Sequence, residues 1–131
     1  LSHIVVSVLL CTASCQPAEI RVWDGDSIRL GTTRQAEAVR IFNIDAPEIE
    51  GQCAYESDLA LQAKTRLADL LHGRRVEILR QGTDRYGRTL AAILVEGHDV
   101  GDVLVGEGLA EPGPDGASRG AERWILPARI E

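Results

Sequence analysis

The ten residues Val39-Arg40-Ile41-Phe42-Asn43-Ile44-Asp45-Ala46-Pro47-Glu48 constrain this chain more than any other stretch. Val39, Ile41, Phe42 and Ile44 are β-branched or aromatic, which predicts a buried strand. Pro47 keeps Ala46 extended and offers no N–H to a ladder, so the strand is expected to stop near Asp45. Asp45 and Glu48 then emerge on a short bend at the strand mouth, where side chains can converge on a ligand. Arg40 needs a partner in so apolar a strand, because an unpaired buried charge is costly. A structural Arg40–carboxylate pair meets that need, and so does a ligand site; this stretch alone leaves both open.

The remaining chain sets bounds on the choice. At 131 residues it is long enough for one domain with a real core. A hydrophobic content of 44% and a charged content of 26% are ordinary for a soluble globular protein. The net charge of −6 argues against indiscriminate binding of polyanions. It does not exclude a local phosphate site, since a divalent cation reverses the sign nearby. Lys64 is the only lysine among 14 basic residues, a bias that genome composition explains as readily as a preference for forked guanidinium groups.

Residues 1–16 differ in character from the rest. Ile4 to Ala13 is an apolar run too short to span a bilayer but of signal-peptide length, followed by small residues. Residues 1–16 are therefore expected to be a truncated signal peptide or N-terminal extension, with residues 17–131 as the domain and a secreted or periplasmic location. A first β-strand and a lipoprotein signal ending at Cys15 are the rival readings. If Cys11 leaves with a signal, Cys15 and Cys53 remain to form one disulfide, with plain buried thiols as the alternative. No CxxC or Cys/His spacing suggests a metal site, and His3, His72 and His98 adjoin no partner in sequence, so solvated or capping roles are expected.

In chain order, Glu19–Asp24 reads as a strand, Asp24-Gly25-Asp26 as a tight turn and Ser27–Leu30 as the returning strand. Residues 54–72 form a helix with Leu59, Ala63, Leu67, Leu70 and Leu71 on one face, stopped by Gly73. Arg75–Arg80 and Thr89–Val95 are strands joined by the turn Asp84-Arg85-Tyr86-Gly87-Arg88. Asp99 caps a short helix that uses Val100, Val103 and Leu104. From Glu111 the composition is that of a loop, and Trp124–Pro127 could dock as a last turn of helix. Five strands with a helix after the third predict a mainly β, α+β fold: an OB-fold Greek-key barrel with two or three helices packed outside.

Three segments carry chemistry together: Asp24-Gly25-Asp26-Ser27, Arg40 with Asp45-Ala46-Pro47-Glu48, and Asp84-Arg85-Tyr86-Gly87-Arg88. In their order and at their polar positions they resemble the staphylococcal nuclease (thermonuclease) family, from about Ile20 to Ala110. The resemblance implies that Asp26, Asp45, the Ala46 carbonyl and Glu48 surround one Ca²⁺, with Asp24 behind them. It implies that Arg40 and Arg88 bind the scissile phosphate and that Tyr86 contacts the phosphate end of the nucleotide, with Arg85 beside it. It implies cleavage of DNA and RNA with little sequence preference, leaving 3′-phosphate and 5′-hydroxyl ends, with single-stranded or frayed polymer favoured. No protein partner or membrane span is implied, and a monomer is expected.

The residue chemistry agrees on its own terms. Several hard oxygen donors suit Ca²⁺, and three acids so close would repel one another without a cation. Glu48 is assigned to activate or position a water, and the two guanidinium groups to clamp the equatorial oxygens. One departure matters: after Gly108-Leu109-Ala110, the stacking aromatics of staphylococcal nuclease give way to Glu111-Pro112-Gly113-Pro114-Asp115, leaving Trp124 or Trp23 to build a base pocket. The rivals are a non-catalytic nucleic-acid- or partner-binding module on the same barrel and a metal-stabilised structural domain. Intact Asp26, Arg40, Asp45, Glu48 and Arg88 argue against the first.

Overall fold

In strand β2 (Cys15–Asp24) the period-two pattern is realised directly: Ile20 and Val22 are fully buried while Arg21 and Trp23 lie on the opposite face. The structure, a computed structural model, describes residues 3–47 and 54–113. The sheet runs in the order β4 (Glu37–Ile41), β3 (Ser27–Leu30), β2, β1 (Ile4–Cys11), β6 (Arg75–Thr83), β7 (Thr89–Val95) and β8 (His98–Asp99). It closes on itself because β4 also pairs in parallel with β7, Val39 opposite Thr89 and Ile41 opposite Ala91. The result is a six-strand OB-type barrel with helices α1 (Ala54–Leu71) and α2 (Val100–Gly106) outside it. Its core is filled by Ile20, Val22, Ile28, Val39, Ile41, Val76, Ile93, Leu67, Leu71 and Leu104.

At the N-terminus, the run expected to be a signal peptide or N-terminal extension forms strand β1 in the structure. It pairs with β2 from Ile4 opposite Val22 to Cys11 opposite Cys15, and it turns Val6 and Val8 into the core. Val5 and Leu9 on its other face are also apolar but exposed, so the strand lacks alternation and by composition looks like a secretory h-region. Counting it raises the barrel from the five strands expected to six. The disulfide joins Cys11 to Cys15 rather than Cys15 to Cys53. Hairpin register sets the two Cα atoms 4.0 Å apart, within reach of a bridge formed locally; Cys53 lies outside the described residues. His3, expected to be solvated, packs on Trp23 with ring centroids 4.8 Å apart.

The helices follow the pattern read from the sequence. On α1, Ala60, Ala63, Leu67, Ala68 and Leu71 are buried, and Gly73, at φ 70°, ends the helix in the left-handed conformation that glycine accepts without strain. The Gly73 N–H donates to the Ser7 carbonyl at 2.7 Å, joining the helix end to β1. Asp99 Oδ1 caps α2 by accepting from the N–H groups of Gly101 and Asp102 at 2.7 and 3.4 Å. Arg66 grips Glu107 through two 2.9 Å bonds, tying α1 to the end of α2. Among the described residues no helix is long and apolar enough to cross a membrane. Beyond α2 the expected loop begins with a short strand, β9 (Glu111–Pro112), which pairs with β5 (Ile44–Asp45). Pro112 can take part because this pair stands apart from the barrel ladder.

Candidate active site

The site is built where the β2–β3 turn meets the end of β5. Gly25 makes the meeting possible: a Cβ there would lie 2.8 Å from Ala63 Cβ on α1 and 3.0 Å from Ala46 Cβ. No other residue lets the turn press this closely on both. Asp26 is thereby nearly buried, with 9% of its surface exposed. Its Oδ1 accepts from Ser27 Oγ at 3.1 Å, and its Oδ2 from the Ala46 N–H at 3.1 Å and Arg40 Nη2 at 3.3 Å. Arg40 stands opposite Ser27 in the β3–β4 ladder, and the same Nη2 donates to Asp45 Oδ1 at 2.6 Å. The arginine therefore holds two carboxylates through one nitrogen, which answers the desolvation that a strand arginine incurs.

Asp45 itself is exposed and owes its position to backbone. Asn43, at φ 74°, reverses the chain between β4 and β5, a conformation asparagine tolerates better than most residues. Gly113 closes the reversal: its N–H donates to the Asn43 carbonyl at 2.7 Å, and a Cβ on it would meet the Asn43 carbonyl carbon at 3.0 Å. The β5–β9 pairing then sets Glu111 opposite Asp45.

Arg88 is held by its own hairpin. Asp84 Oδ1 accepts from the N–H groups of Tyr86 and Arg88, both at 2.9 Å, and Oδ2 accepts from Arg88 Nε at 2.8 Å. Burial pushes the Asp84 carboxyl up, but these bonds and the Arg88 charge outweigh it and hold the group below its ordinary value. Gly87, at φ 83°, supplies the left-handed turn residue. Tyr86 is 70% exposed, with the guanidinium carbons of Arg85 and Arg88 at 5.2 and 5.7 Å from its ring centre.

Arg88 also lines a cleft of about 260 Å³ with Trp23, Asp24, Ser27, Ile28, Arg29, Ala38 and Val39. The structure thus gathers Asp26, Arg40, Asp45 and Ala46 at one point. It sets Arg88 in a cleft that shares Ser27 with that point, while Tyr86 and Arg85 are exposed and outside its lining. Glu48, like Trp124, lies outside the described residues. Among the described residues no three Asp, Glu, His or Cys side chains form a metal-holding group; Asp26 and Asp45 make a pair. That pair suits a hard cation, being two carboxylate oxygens close enough to share one donor nitrogen.

Two contributors were not singled out from the sequence. Asp84 was read only as a turn residue, although an Asp two and four residues ahead of backbone N–H groups is an Asx-turn signal. The Glu111–Gly113 segment has the composition of a loop and no strand signal, because a two-residue pairing has no periodicity to detect.

The closed barrel carries Arg40 with Asp26 and Asp45 at one mouth, and Arg88 in the adjoining cleft. The chain belongs to the staphylococcal nuclease homologue family, whose model matches residues 38–115, more than half of its length. It is 43% identical over 74 residues to a micrococcal nuclease of Shigella flexneri, covering 56% of this chain and 39% of that protein. It is 32% identical over 92 residues to an uncharacterized endonuclease of Haemophilus influenzae, covering 70% of this chain and 48% of that one. A further uncharacterized endonuclease, from Escherichia coli O157:H7, is 33% identical over 92 residues, 70% of this chain and 56% of that protein. The chain spans roughly half the length of these relatives.

Proposed function

We propose that this chain is a Ca²⁺-dependent nuclease that hydrolyses phosphodiester bonds of single-stranded or frayed DNA and RNA, leaving 3′-phosphate and 5′-hydroxyl ends. One observation carries this: Asp26 and Asp45 converge on a single Arg40 nitrogen at the barrel mouth, while Arg88 lines the adjoining cleft. Family membership and the names of the relatives support it. Asp26, Asp45, the Ala46 carbonyl and Glu48 would hold the cation. When bound, Ca²⁺ would supply charge neutralisation and a template for the phosphate.

The protein's own groups do the rest. Glu48 accepts a proton from the attacking water, as a carboxylate placed near a polarised nucleophile does. Arg40 and Arg88 donate to the equatorial oxygens, and these bonds strengthen as negative charge builds in the transition state. Asp84 holds Arg88 through Nε, so its outer N–H groups are oriented before substrate arrives. Tyr86, outside the cleft, meets the phosphate end of the chain. Contacts to phosphate rather than to base edges give little sequence preference. The Cys11–Cys15 disulfide supports an oxidising, extracellular or periplasmic location.

Release of acid-soluble nucleotides from denatured DNA tests the proposal. Wild type with Ca²⁺ should release them, and chelator or Glu48→Ala should reduce release by at least about 10². No release by wild type with Ca²⁺ would leave a binding module on the same barrel.

A further inference from the structure

We propose that Trp23 and Arg29, together with Arg88, form a subsite that takes one unpaired nucleobase and its phosphate beside the scissile bond. The inference rests on the nuclease reading of the neighbouring acids and arginines, and it concerns how the substrate strand is gripped.

Strand register puts the parts together. Arg21 lies opposite Arg29 and Arg29 opposite Ala38, while Ser27 lies opposite Arg40. Residues opposite one another share a face, so Arg29, Ala38, Ser27 and Arg40 stand on the outer face of β3 and β4. Ala38 contributes only a methyl group, which leaves space between Arg29 and Arg88. The cleft is that space, about 260 Å³, with Trp23 as its aromatic wall and Asp24 and Ser27 at the side toward Asp26. It is smaller than the roughly 300–1,000 Å³ of pockets for whole drug-sized ligands, so one planar base fits better than a dinucleotide.

The wall is fixed and the cation beside it is not. His3 packs on the Trp23 ring at 4.8 Å, and the Arg21 guanidinium carbon lies 6.0 Å from the ring centre. Arg21 is occupied, donating to the carbonyls of Gly31 and Thr33 at 2.9 Å each. Among the described residues Arg29 donates one hydrogen bond, to the Ala36 carbonyl at 3.5 Å, too long to hold it firmly. An ordered indole next to a loosely held guanidinium suits a base that stacks and a phosphate that draws in the charge. Every base has a face to stack, so the subsite adds affinity without sequence preference. A paired base cannot enter, so it also favours single strands. In a chain of net charge −6, it supplies local attraction that the overall charge does not.

The test measures binding and turnover separately. In a Trp124→Phe background, where Trp23 is the remaining tryptophan, saturating (dT)₈ oligonucleotide should quench tryptophan emission, and an abasic octamer of the same charge should quench it little. Trp23→Ala should raise KM for denatured DNA about tenfold, with kcat within about twofold, and Trp23→Phe should restore most of the loss. Arg29→Gln, on an outer strand face, should raise KM several-fold and flatten its dependence on salt. Equal quenching by the abasic octamer, or an unchanged KM in both Trp23→Ala and Arg29→Gln, overturns the subsite while leaving the nuclease proposal standing. Base-dependent quenching by a wild type that hydrolyses neither DNA nor RNA overturns the nuclease proposal and keeps the subsite. If Trp23→Ala does not fold, Arg29→Gln and the abasic comparison carry the test.

Discussion

Arg40 and Arg88 are both held by carboxylates, but in different ways. Arg40 sits in a barrel strand and reaches Asp26, 14 residues back, and Asp45, five residues ahead across a reversed bend. Its place depends on the β3–β4 ladder, on Gly25 letting the turn approach α1, and on the β5–β9 clamp. Among the described residues the carboxylate that Arg88 reaches is Asp84, in its own hairpin, which also fixes the turn by accepting two backbone N–H bonds. One arginine is a product of the whole fold and the other of five consecutive residues. Damage to the first should therefore spread into stability, whereas damage to the second should remain in catalysis.

Asp26→Ala is the strongest test of this contrast. It leaves the Ala46 N–H and Arg40 without their shared partner, so we expect a loss of about 2–3 kcal/mol in urea unfolding and turnover reduced by about 10³ or more. An undiminished stability would mean that the mouth is not held through Asp26. Arg88→Lys should lower kcat by about 10²–10³, since a point charge does not replace the fork. Its stability should stay within about 0.5 kcal/mol of wild type; a larger loss would erase the distinction between the two arginines.

Asp84→Asn comes next. It keeps the side chain's shape but weakens the hold on Arg88 Nε, so we expect about a tenfold fall in kcat/KM with little change in Tm. The pH dependence has a definite sign. A carboxyl held below its ordinary value anchors Arg88 fully above about pH 4 and releases it as pH falls through the lower folded value. The Arg88 Nε–H resonance should thus be protected from exchange at pH 5 and lost in stronger acid. Protection lost already above pH 5 would contradict the anchoring role. The smallest effect is expected from Glu111→Gln, which removes a like charge set opposite Asp45 and should stabilise by a few tenths of a kcal/mol at low salt. Destabilisation instead would show that Glu111 supports the clamp through more than its backbone.

The Arg88 side of the contrast was legible in the primary sequence and most of the Arg40 side was not. Asp84-Arg85-Tyr86-Gly87-Arg88 announces its turn because a glycine accepting positive φ is a local matter, although the hold of Asp84 on Arg88 came from the structure. Strand ends, α1 with its Gly73 stop, and the Asp99 cap were legible for the same reason. Ile4–Cys11 was not, since a strand apolar on both faces has the composition of an exported leader and only its register with β2 distinguishes the two. The Cys11–Cys15 bridge depends on that same register.

By itself the sequence determined which residues bear charge in an apolar strand, where the chain turns, and that its acids and arginines follow the order of the staphylococcal nuclease homologues. Tertiary structure decided what meets what. The closure of β4 on β7, the approach that Gly25 permits and the pairing of Glu111–Pro112 with Ile44–Asp45 join residues far apart in the chain. Such contacts depend on loop closure and packing across the whole barrel, and no short window of residues encodes them.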